Sequence, residues 1–289
     1  MVGQMKLRSV CPPMRRCTCL IKNVSLCLLA SIVFVSSFVI RADSSQTDGY
    51  IPTTLITGAN RGIGFEFAKQ YLAKGWRVIA TCRKPETADD LKTLQAEYPD
   101  LLIIDKLDVR DHNQIDLLAE RYNNTLIDVL LNNAGISGGQ KEQIFGRFDY
   151  EAYNAVLETN TIGPLKMAEA FYPHVRDSQH KKIITVSSSE GSISNVFKRG
   201  GRLFFYRSSK SALNMVMVNL AYMLKDRGII VAMVNPGATG TDFMASLAAM
   251  GFPLRKTEVA VSDMMRNIDA LSIETTGAYL SYKGQQVPW

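Results

Sequence analysis

Cysteine is nearly absent from most of this 289-residue sequence. Residues 1–42 contain all of the five cysteines except Cys82. The rest of the chain therefore cannot form an internal disulfide framework or a cysteine-rich metal site. The three histidines, His112, His174 and His180, do not come together with carboxylates or cysteines at the spacing of metal ligands, so we expect no metal site.

An excess of charge of either sign is also missing from the main part of the chain. Residues 1–42 hold six of the 33 basic residues and no acidic residue, which accounts for the net charge of +6. The remaining 27 basic residues match the 27 acidic residues. A neutral balance gives no electrostatic footprint for nucleic acid, and we expect none to bind.

Long hydrophobic runs are rare, and the most apolar one lies near the N-terminus, where 17 residues at 24–40 carry no charge. This length is at the short limit for a membrane helix and exceeds most signal-peptide cores. We interpret residues 1–42 as a leader. A signal anchor in the secretory pathway or endoplasmic reticulum is favoured, and the alternatives are a cleaved signal peptide, a transit peptide or an unused extension of a cytoplasmic protein.

The distribution of charge around this run indicates an orientation for the anchor. Basic residues precede it and only Arg41 follows closely, so an anchor would leave the N-terminus in the cytosol and the rest of the chain in the lumen. Asn123-Asn124-Thr125 would then be an acceptor for N-glycosylation.

After a polar linker at 43–50, apolar strand-like runs alternate with amphipathic helical patterns up to the end of the chain. This alternation predicts one α/β domain at 51–289, with a doubly wound parallel sheet of about seven strands and helices on both faces. The predicted strands are 53–56, 78–81, 101–104, 129–132, 183–187, 229–234 and 278–282. The predicted helices are 62–74, 86–97, 111–122, 150–175, 207–227 and 257–272.

A glycine-rich turn joins the first predicted strand to the first predicted helix. It reads Thr57-Gly58-Ala59-Asn60-Arg61-Gly62-Ile63-Gly64. Glycines let a pyrophosphate come close to the backbone, and the free N–H groups and dipole of a helix N-terminus favour the anion. Strand, turn and helix together predict a dinucleotide site.

Tyr206 and Lys210 lie four residues apart at the start of a long helical pattern. Side chains at this spacing share one face of a helix, so the phenol and the ammonium can point into the same cleft. A nearby cation favours the phenolate and would lower the pKa of the phenol toward neutral pH. Tyr206 could then exchange a proton with a carbonyl or alcohol, although the same spacing alone is common at ordinary helix N-termini.

These motifs, with Asn132-Asn133-Ala134-Gly135, Asn235-Pro236-Gly237 and the ending Val287-Pro288-Trp289, resemble in order those of the short-chain dehydrogenase/reductase family. The resemblance covers residues 51–289 and is closest to the carbonyl reductase branch that includes C-factor-like reductases. It implies a Rossmann-type fold and a homodimer formed through the fourth and fifth helices. It also implies the catalytic residues Asn160, Ser188, Tyr206 and Lys210, with Ser187 as the alternative to Ser188.

The resemblance further implies that the cofactor is a nicotinamide dinucleotide. Residues 79–84, at the end of the second predicted strand, contain no acid for the ribose 2′-hydroxyl of NAD(H). Arg83, Lys84 and Arg61 instead favour NADP(H), whose 2′-phosphate needs positive charge. The implied cofactor contacts are Thr57, Gly58, Asn60, Arg61, Gly62, Ile63, Gly64, Arg83, Lys84, Asp108, Val109, Asn133, Ala134, Gly135, Tyr206, Lys210, Pro236, Gly237, Thr239 and Thr241.

Two further segments bear on the substrate. An enlarged loop at 195–205 carries Phe197, Leu203, Phe204 and Phe205, which either line an apolar pocket or pack the loop down. Residues 242–256 are rich in Met, Ala and Leu and are a predicted lid, and an apolar lid indicates apolar substrates.

The expected function is therefore the NADPH-dependent reduction of an aldehyde or ketone to an alcohol, with Tyr206 as the proton donor. One alternative is an NADP-linked alcohol, steroid or retinoid dehydrogenase that works in the oxidative direction. Another, of a different class, is a cofactor-binding regulatory protein on the same fold, because a fold does not establish turnover.

Overall fold

Seven parallel strands organise the computed structural model, which describes residues 49–244, 251 and 253–289. In chain order, β1 to β7 are Thr53–Thr57, Arg77–Cys82, Leu102–Lys106, Val129–Asn132, Lys182–Val186, Ile230–Asn235 and Tyr279–Ser281. Their order in the sheet is β3-β2-β1-β4-β5-β6-β7, and every neighbouring pair is parallel. The predicted doubly wound sheet is confirmed.

The strands form where the sequence offers short apolar and β-branched runs. Every residue of β1, β4, β5 and β6 is buried, as expected for central strands covered on both faces. The edge strand β3 instead has exposed positions at Ile103 and Lys106. This difference follows from place in the sheet, because an edge strand has only one neighbouring strand.

Helices cover both faces of the sheet. Within the described ranges, α1 to α9 are Gly62–Ala73, Asp89–Glu97, His112–Arg121, Tyr150–Leu157, Gly163–Ala170, Tyr172–Arg176, Val196–Arg199, Phe204–Leu224 and Thr257–Asp269. On one face α1, α2 and α9 bury residues such as Phe67 and Met264 against the sheet. On the other face α3, α5 and α8 bury residues such as Ile115 and Leu213.

One predicted helix, 150–175, is wrong as a single element. The structure divides it into α4, a π-helical turn at Glu158–Ile162, α5 and α6. Pro164 and Pro173 lie in the first turns of α5 and α6, where a missing N–H costs little. The predicted helix at 207–227 also needs correction, because α8 begins earlier, at Phe204, and places Tyr206 inside its first turn.

The chain order of the sheet creates a crevice beside β1 and β4. These two strands are neighbours, yet the connection from β1 leads to β2 on one side and the connection from β4 leads to β5 on the other. Loops at the carboxyl ends of the two strands therefore diverge and leave room between them. The glycine turn follows β1 and residues 133–135 follow β4, so the predicted cofactor site lies at this crevice.

The predicted leader at 1–42 and residues 43–48 of the linker lie outside the described residues, as do residues 245–250 and 252 of the predicted lid. In the part of the chain that the structure describes, no helix has the length and apolar character needed to cross a bilayer.

Candidate active site

Thr57 and Asn133 join the glycine turn to the loop that follows β4. The Thr57 hydroxyl accepts hydrogen bonds from the backbone N–H groups of Asn133 (3.0 Å) and Ala134 (3.1 Å). The Asn133 amide donates to the carbonyl groups of Thr57 (2.9 Å) and Gly58 (3.1 Å). The two walls of the crevice are thus held at a fixed distance from each other.

The glycine turn fits a pyrophosphate because its backbone is closely packed and its helix is open at the N-terminus. A Cβ on Gly64 would lie 2.3 Å from the carbonyl oxygen of Gly58 and 2.4 Å from the Asn133 amide nitrogen, so only glycine is accommodated. Among the residues that the structure describes, no side chain caps α1 at Arg61. Its first N–H groups and dipole are therefore available to an anion.

The remaining members of the predicted glycine turn lie around this opening. Gly62 has a positive φ of 56°, and its Cα approaches Thr241, whose Cγ2 would lie 3.3 Å from an added Cβ. Ile63 packs against the core, and Asn60 is half-buried. Thr241, on the loop after β6, therefore lies beside the dinucleotide turn.

Basic side chains gather at the end of the crevice beside β2. Arg83 and Lys84 follow β2 and are exposed. The Arg110 guanidinium, hydrogen-bonded to Asp108, holds the pKa of that carboxyl below its usual range, and the charge of Arg83 adds to the effect. Val109, next to Asp108, is buried. The basic side chains at this end of the crevice therefore favour the binding of an anion.

Arg61 lies on the opposite side of the glycine turn from the core. Its guanidinium forms an ion pair with Asp242 at 3.2 Å, and both side chains are largely exposed. Such an exposed pair contributes little to stability, on the order of 0–1 kcal/mol. Arg61 can therefore exchange this partner for a phosphate at small cost.

Ser188, Tyr206 and Lys210 come together at the carboxyl end of β5. The Ser188 hydroxyl is hydrogen-bonded to the Tyr206 phenol. The Lys210 ammonium lies 5.8 Å from the centre of the Tyr206 ring and donates to the carbonyl oxygen of Val186 at 2.9 Å. Both Tyr206 and Lys210 are buried. A hydroxyl, a phenol and an ammonium thus face one small region next to the predicted cofactor crevice.

Burial has the largest effect on the pKa values of Tyr206 and Lys210. It raises the pKa of Tyr206 to about 12, although the hydrogen bond from Ser188 acts to lower it and the charge of Glu190 acts to raise it. Burial also lowers the pKa of Lys210 to about 8. The sequence led us to expect that Lys210 lowers the pKa of the phenol, but desolvation is the larger effect here. At neutral pH, Tyr206 is a neutral phenol.

Asn160 ties the β4 loop to α8. Its amide accepts from the N–H of Ile136 (2.9 Å) and donates to the carbonyl of Ile136 (2.8 Å) and to the hydroxyl of Ser209 (2.9 Å). It lies in the π-helical turn between α4 and α5, a kind of turn that is frequent at functional sites. Lys210 Nζ and Asn160 Oδ1 both approach Gly135, at 3.7 Å and 3.3 Å from an added Cβ.

The geometry distinguishes the two candidate serines. The hydroxyl of Ser187 is buried and donates to the side chain of Asn214 at 2.7 Å. Ser188 instead reaches Tyr206 and accepts from the N–H of Glu190 at 3.2 Å. Ser188 is therefore the serine placed to contact a substrate oxygen.

The loop after β6 closes the far side of the crevice. Pro236 is buried, and a Cβ on Gly237 would lie 2.9 Å from the Tyr282 ring. Thr239 turns inward and donates weakly to the carbonyl groups of Pro236 and Gly237, both at 3.3 Å, so its hydroxyl supports the loop itself. Phe243, further along, packs against Tyr206 with the ring centres 5.3 Å apart.

Comparison with known proteins agrees with this arrangement. The family described as short chain dehydrogenase matches residues 52–250. The chain belongs to this family. An uncharacterized oxidoreductase from Schizosaccharomyces pombe is 31% identical over 252 residues, which cover 81% of this chain and 96% of that protein.

Solved structures give the same result at the level of the fold. An NADPH-bound carbonyl reductase from chicken fatty liver is 31% identical, with a TM-score of 0.73 over 83% of this chain and 99% of that one. The carbonyl reductase Sniffer of D. melanogaster is 27% identical, with a TM-score of 0.74 over 83% and 100% of the two chains. The predicted resemblance to the family and to its carbonyl reductase-like branch is confirmed. The protein is thus an oxidoreductase of this family.

Two supporting residues of this site, Arg255 and Tyr279, carry no signal in the sequence motifs. Arg255 lies over the Tyr282 ring at 3.8 Å and donates to the carbonyl of Pro236 at 2.9 Å, which holds the loop after β6. Tyr279 donates its hydroxyl to the carbonyl of Ser188, and its ring stacks on Trp289 at 5.3 Å. Only the position of Trp289 in the Val287-Pro288-Trp289 ending could have suggested this support.

The aromatic residues of the enlarged loop divide between the two predicted roles. Phe205 is buried and stacks on Tyr153 with ring centres 4.7 Å apart, so it packs the loop down. Phe204 is partly exposed and lies 5.1 Å from Phe148. Phe197 is fully exposed.

Proposed function

We propose that this protein reduces an aldehyde or ketone to an alcohol with NADPH. The observation that carries the proposal is the contact between Ser188 and a buried, neutral Tyr206 beside the dinucleotide crevice. A phenol with a pKa of about 12 is protonated at neutral pH, which suits the donor of a proton to a reduced carbonyl oxygen.

Each residue of the cluster has a separate role in this reaction. The Ser188 hydroxyl and the Tyr206 phenol hold the carbonyl oxygen and polarise it. The dinucleotide supplies the hydride when it is bound. Tyr206 then gives its proton to the oxygen, which has become the stronger base. Lys210 stabilises the phenolate that remains, and Asn160 fixes the loop against which Lys210 lies.

The cofactor is NADP(H) in this proposal, with NAD(H) less favoured. Arg83 and Lys84 are exposed after β2, and Arg61 is held only by an exposed ion pair, so all three can meet a 2′-phosphate. The similar reductase from chicken liver has NADPH bound. The pyrophosphate would lie at Gly58–Gly64 of the glycine turn, and the nicotinamide end beside Asn133, Gly135 and Thr241.

An alcohol, steroid or retinoid dehydrogenase is the second candidate. Oxidation requires Tyr206 to accept a proton, and hence to be a phenolate first. Because burial raises the pKa of Tyr206, this direction is favoured only at alkaline pH. A regulatory protein without turnover is less well supported, since Ser188, Tyr206 and Lys210 are all placed for chemistry.

Apolar substrates fit the surroundings of Tyr206. Phe243 packs on its ring from the start of the predicted lid. We also propose that the protein forms a homodimer and that residues 24–40 attach it to a membrane, with the catalytic domain on the lumenal side. The support for attachment is the charge-free run in the sequence.

A substrate panel tests the proposed activity. Purified protein is mixed with NADPH or NADH and a set of aromatic and aliphatic aldehydes and ketones, and cofactor consumption is followed by absorbance. We expect turnover with NADPH that Tyr206→Phe removes without weakening NADPH binding, because the phenylalanine lacks only the proton donor. Near-wild-type turnover of Tyr206→Phe, or no turnover with any carbonyl, contradicts the proposal.

A further inference from the structure

A side chain from a distant loop caps the N-terminus of α8, the helix that carries Tyr206. Gln143 ends the 3₁₀ turn Lys141–Gln143 and is 5% exposed. Its Oε1 accepts a hydrogen bond from the N–H of Phe205 at 2.8 Å and a longer one from the N–H of Tyr206 at 3.5 Å. Because the first N–H groups of a helix have no partner within it, Gln143 supplies an acceptor that α8 lacks.

The residue at the N-cap position of α8 cannot supply that acceptor. Leu203 occupies this position with a left-handed backbone (φ 54°, ψ 46°) and makes no capping hydrogen bond. Its side chain has no oxygen, unlike the serine, threonine, asparagine or aspartate usual there. The start of α8 is therefore defined by Gln143, and Tyr206 lies within that first turn.

The other end of the Gln143 amide holds the loop after β4. Its Nε2 donates to the carbonyl of Ser137 at 2.7 Å and also to the carbonyl of Gly139. Gly138, between them, has a positive φ of 79°, and a Cβ there would lie 2.6 Å from Val156. This loop continues from residues 133–135 of the crevice, so one buried amide connects the crevice to the catalytic helix.

We propose that Gln143 is a positioning residue that fixes Tyr206 against the crevice. The inference rests on the proposed function, because it assigns Gln143 a part in proton donation by Tyr206. Without its amide, two N–H groups at the start of α8 and two carbonyl groups of the loop lose their partners, and the first turn can shift. Lys210 lies one turn further and is held separately by the carbonyl of Val186, so the cofactor side of the cluster is preserved.

The test compares two substitutions of Gln143 with a matched control. Gln143→Met keeps the length of the side chain and removes both functions of the amide. Gln143→Glu keeps an acceptor for the N–H groups, where negative charge at a helix N-terminus is favourable, but it cannot donate to the two carbonyls. Gln95→Met is the control. Gln95 lies on α2, far from the crevice, and its amide also donates to a backbone carbonyl, that of Leu102.

Steady-state rates and cofactor affinity are measured for each protein with the best carbonyl of the substrate panel. We expect Gln143→Met to lower kcat by about tenfold or more, with KM and the NADPH Kd changed by less than about threefold. Gln143→Glu should recover part of kcat, and Gln95→Met should match the wild type. A purely structural role would not separate kcat from cofactor binding in this way.

Several outcomes would overturn the inference. A folded Gln143→Met with wild-type kcat removes the positioning role, and so does a parallel loss of kcat and NADPH affinity. If Gln143→Met does not fold, the ratio of kcat loss to Kd loss in Gln143→Glu decides by the same criterion. If the wild type reduces no carbonyl, the proposed function fails instead, and the same comparison is made with alcohols and NADP⁺ as substrates.

Discussion

The Arg207 Nε atom lies 2.5 Å from Glu190 Oε2, and both side chains are largely buried. This ion pair joins the first turn of α8 to the 3₁₀ turn Ser189–Gly191, directly after Ser188. Arg207 also donates to the carbonyl of Gly200 in the enlarged loop. The pair therefore keeps Ser188 and Tyr206, which would share the substrate oxygen, on adjoining segments.

Glu190→Gln is expected to lower the pKa of Tyr206. The negative charge of Glu190 raises this pKa, after burial, and its removal leaves the Arg207 cation nearby to favour the phenolate. Both effects lower the pKa of Tyr206. In the oxidative direction Tyr206 must be deprotonated, so kcat/KM rises with pH, and the midpoint of this rise should move to lower pH. The measurement is a pH profile with an alcohol substrate and NADP⁺, with exposed Glu97→Gln as control. An unchanged or higher midpoint would contradict the electrostatic role.

Lys210→Met should abolish catalysis but make the fold more stable at neutral pH. Burial lowers the pKa of Lys210 from 10.5 to about 8, so charging this side chain opposes folding. The unfolded chain binds the extra proton between these two values, and stability is lost as pH falls through them. At about pH 7 the stabilisation by Lys210→Met should exceed that at about pH 10 by roughly 2 kcal/mol.

Denaturant unfolding of both proteins at the two pH values measures this difference. Lys225→Met serves as the control, because Lys225 is exposed and its charge is solvated in both states. A stability difference between wild type and Lys210→Met that does not change with pH would show that the ammonium is not desolvated as its position implies.

The sheet could be predicted from the sequence because its central strands are buried on both faces. Runs such as 53–57 and 230–235 are rich in apolar and β-branched residues and lack the polar face of an amphipathic helix. Pro164 indicates a bend near Asn160, but the π-helical turn at Glu158–Ile162 is not visible in the sequence, because one extra residue in a helical turn hardly alters the apolar pattern. Helix existence was therefore predicted better than helix continuity.

The candidate site shows a similar limit. The glycine turn and the Tyr206/Lys210 spacing are local, so the sequence displays them directly. The pKa of Tyr206 depends on burial by elements far away in the chain, which raises it, so the net lowering of this pKa that the sequence led us to expect is wrong. Gln143 gave no signal, because a glutamine in a loop is ordinary until its two partners are brought together by folding.

Replacing Arg61 and Arg83 together by Gln should weaken NADPH far more than NADH. Only NADPH carries the 2′-phosphate that these cations can contact, and such charge-assisted hydrogen bonds are strong. We expect the Kd for NADPH to rise about tenfold or more, while that for NADH changes less than about threefold. The control replaces Lys225 and Arg227 by Gln, which removes the same charge before the amino end of β6, whereas Arg83 follows the carboxyl end of β2. Equal losses for both cofactors would make Arg61 and Arg83 structural.

The leader should hold the full-length protein in a membrane. A helix of 17 residues is about 25 Å long, slightly under a bilayer core of about 30 Å, so it can anchor with modest adjustment of the bilayer or of Lys22 and Arg41. After carbonate extraction the full-length protein should stay in the pellet, whereas a chain that begins at residue 43 should reach the supernatant and remain active.

The side of the membrane can be tested through Asn123. This residue is exposed in the turn after α3, where a glycosyltransferase can reach it. A lumenal domain should carry an endoglycosidase-sensitive glycan that Asn123→Gln removes, and Asn124→Gln, which keeps the acceptor sequence intact, is the matched control. Recovery of unprocessed full-length protein in the cytosolic supernatant would exclude the anchor. A carbonate-resistant protein without glycan on Asn123 would retain the anchor and argue against the lumenal orientation.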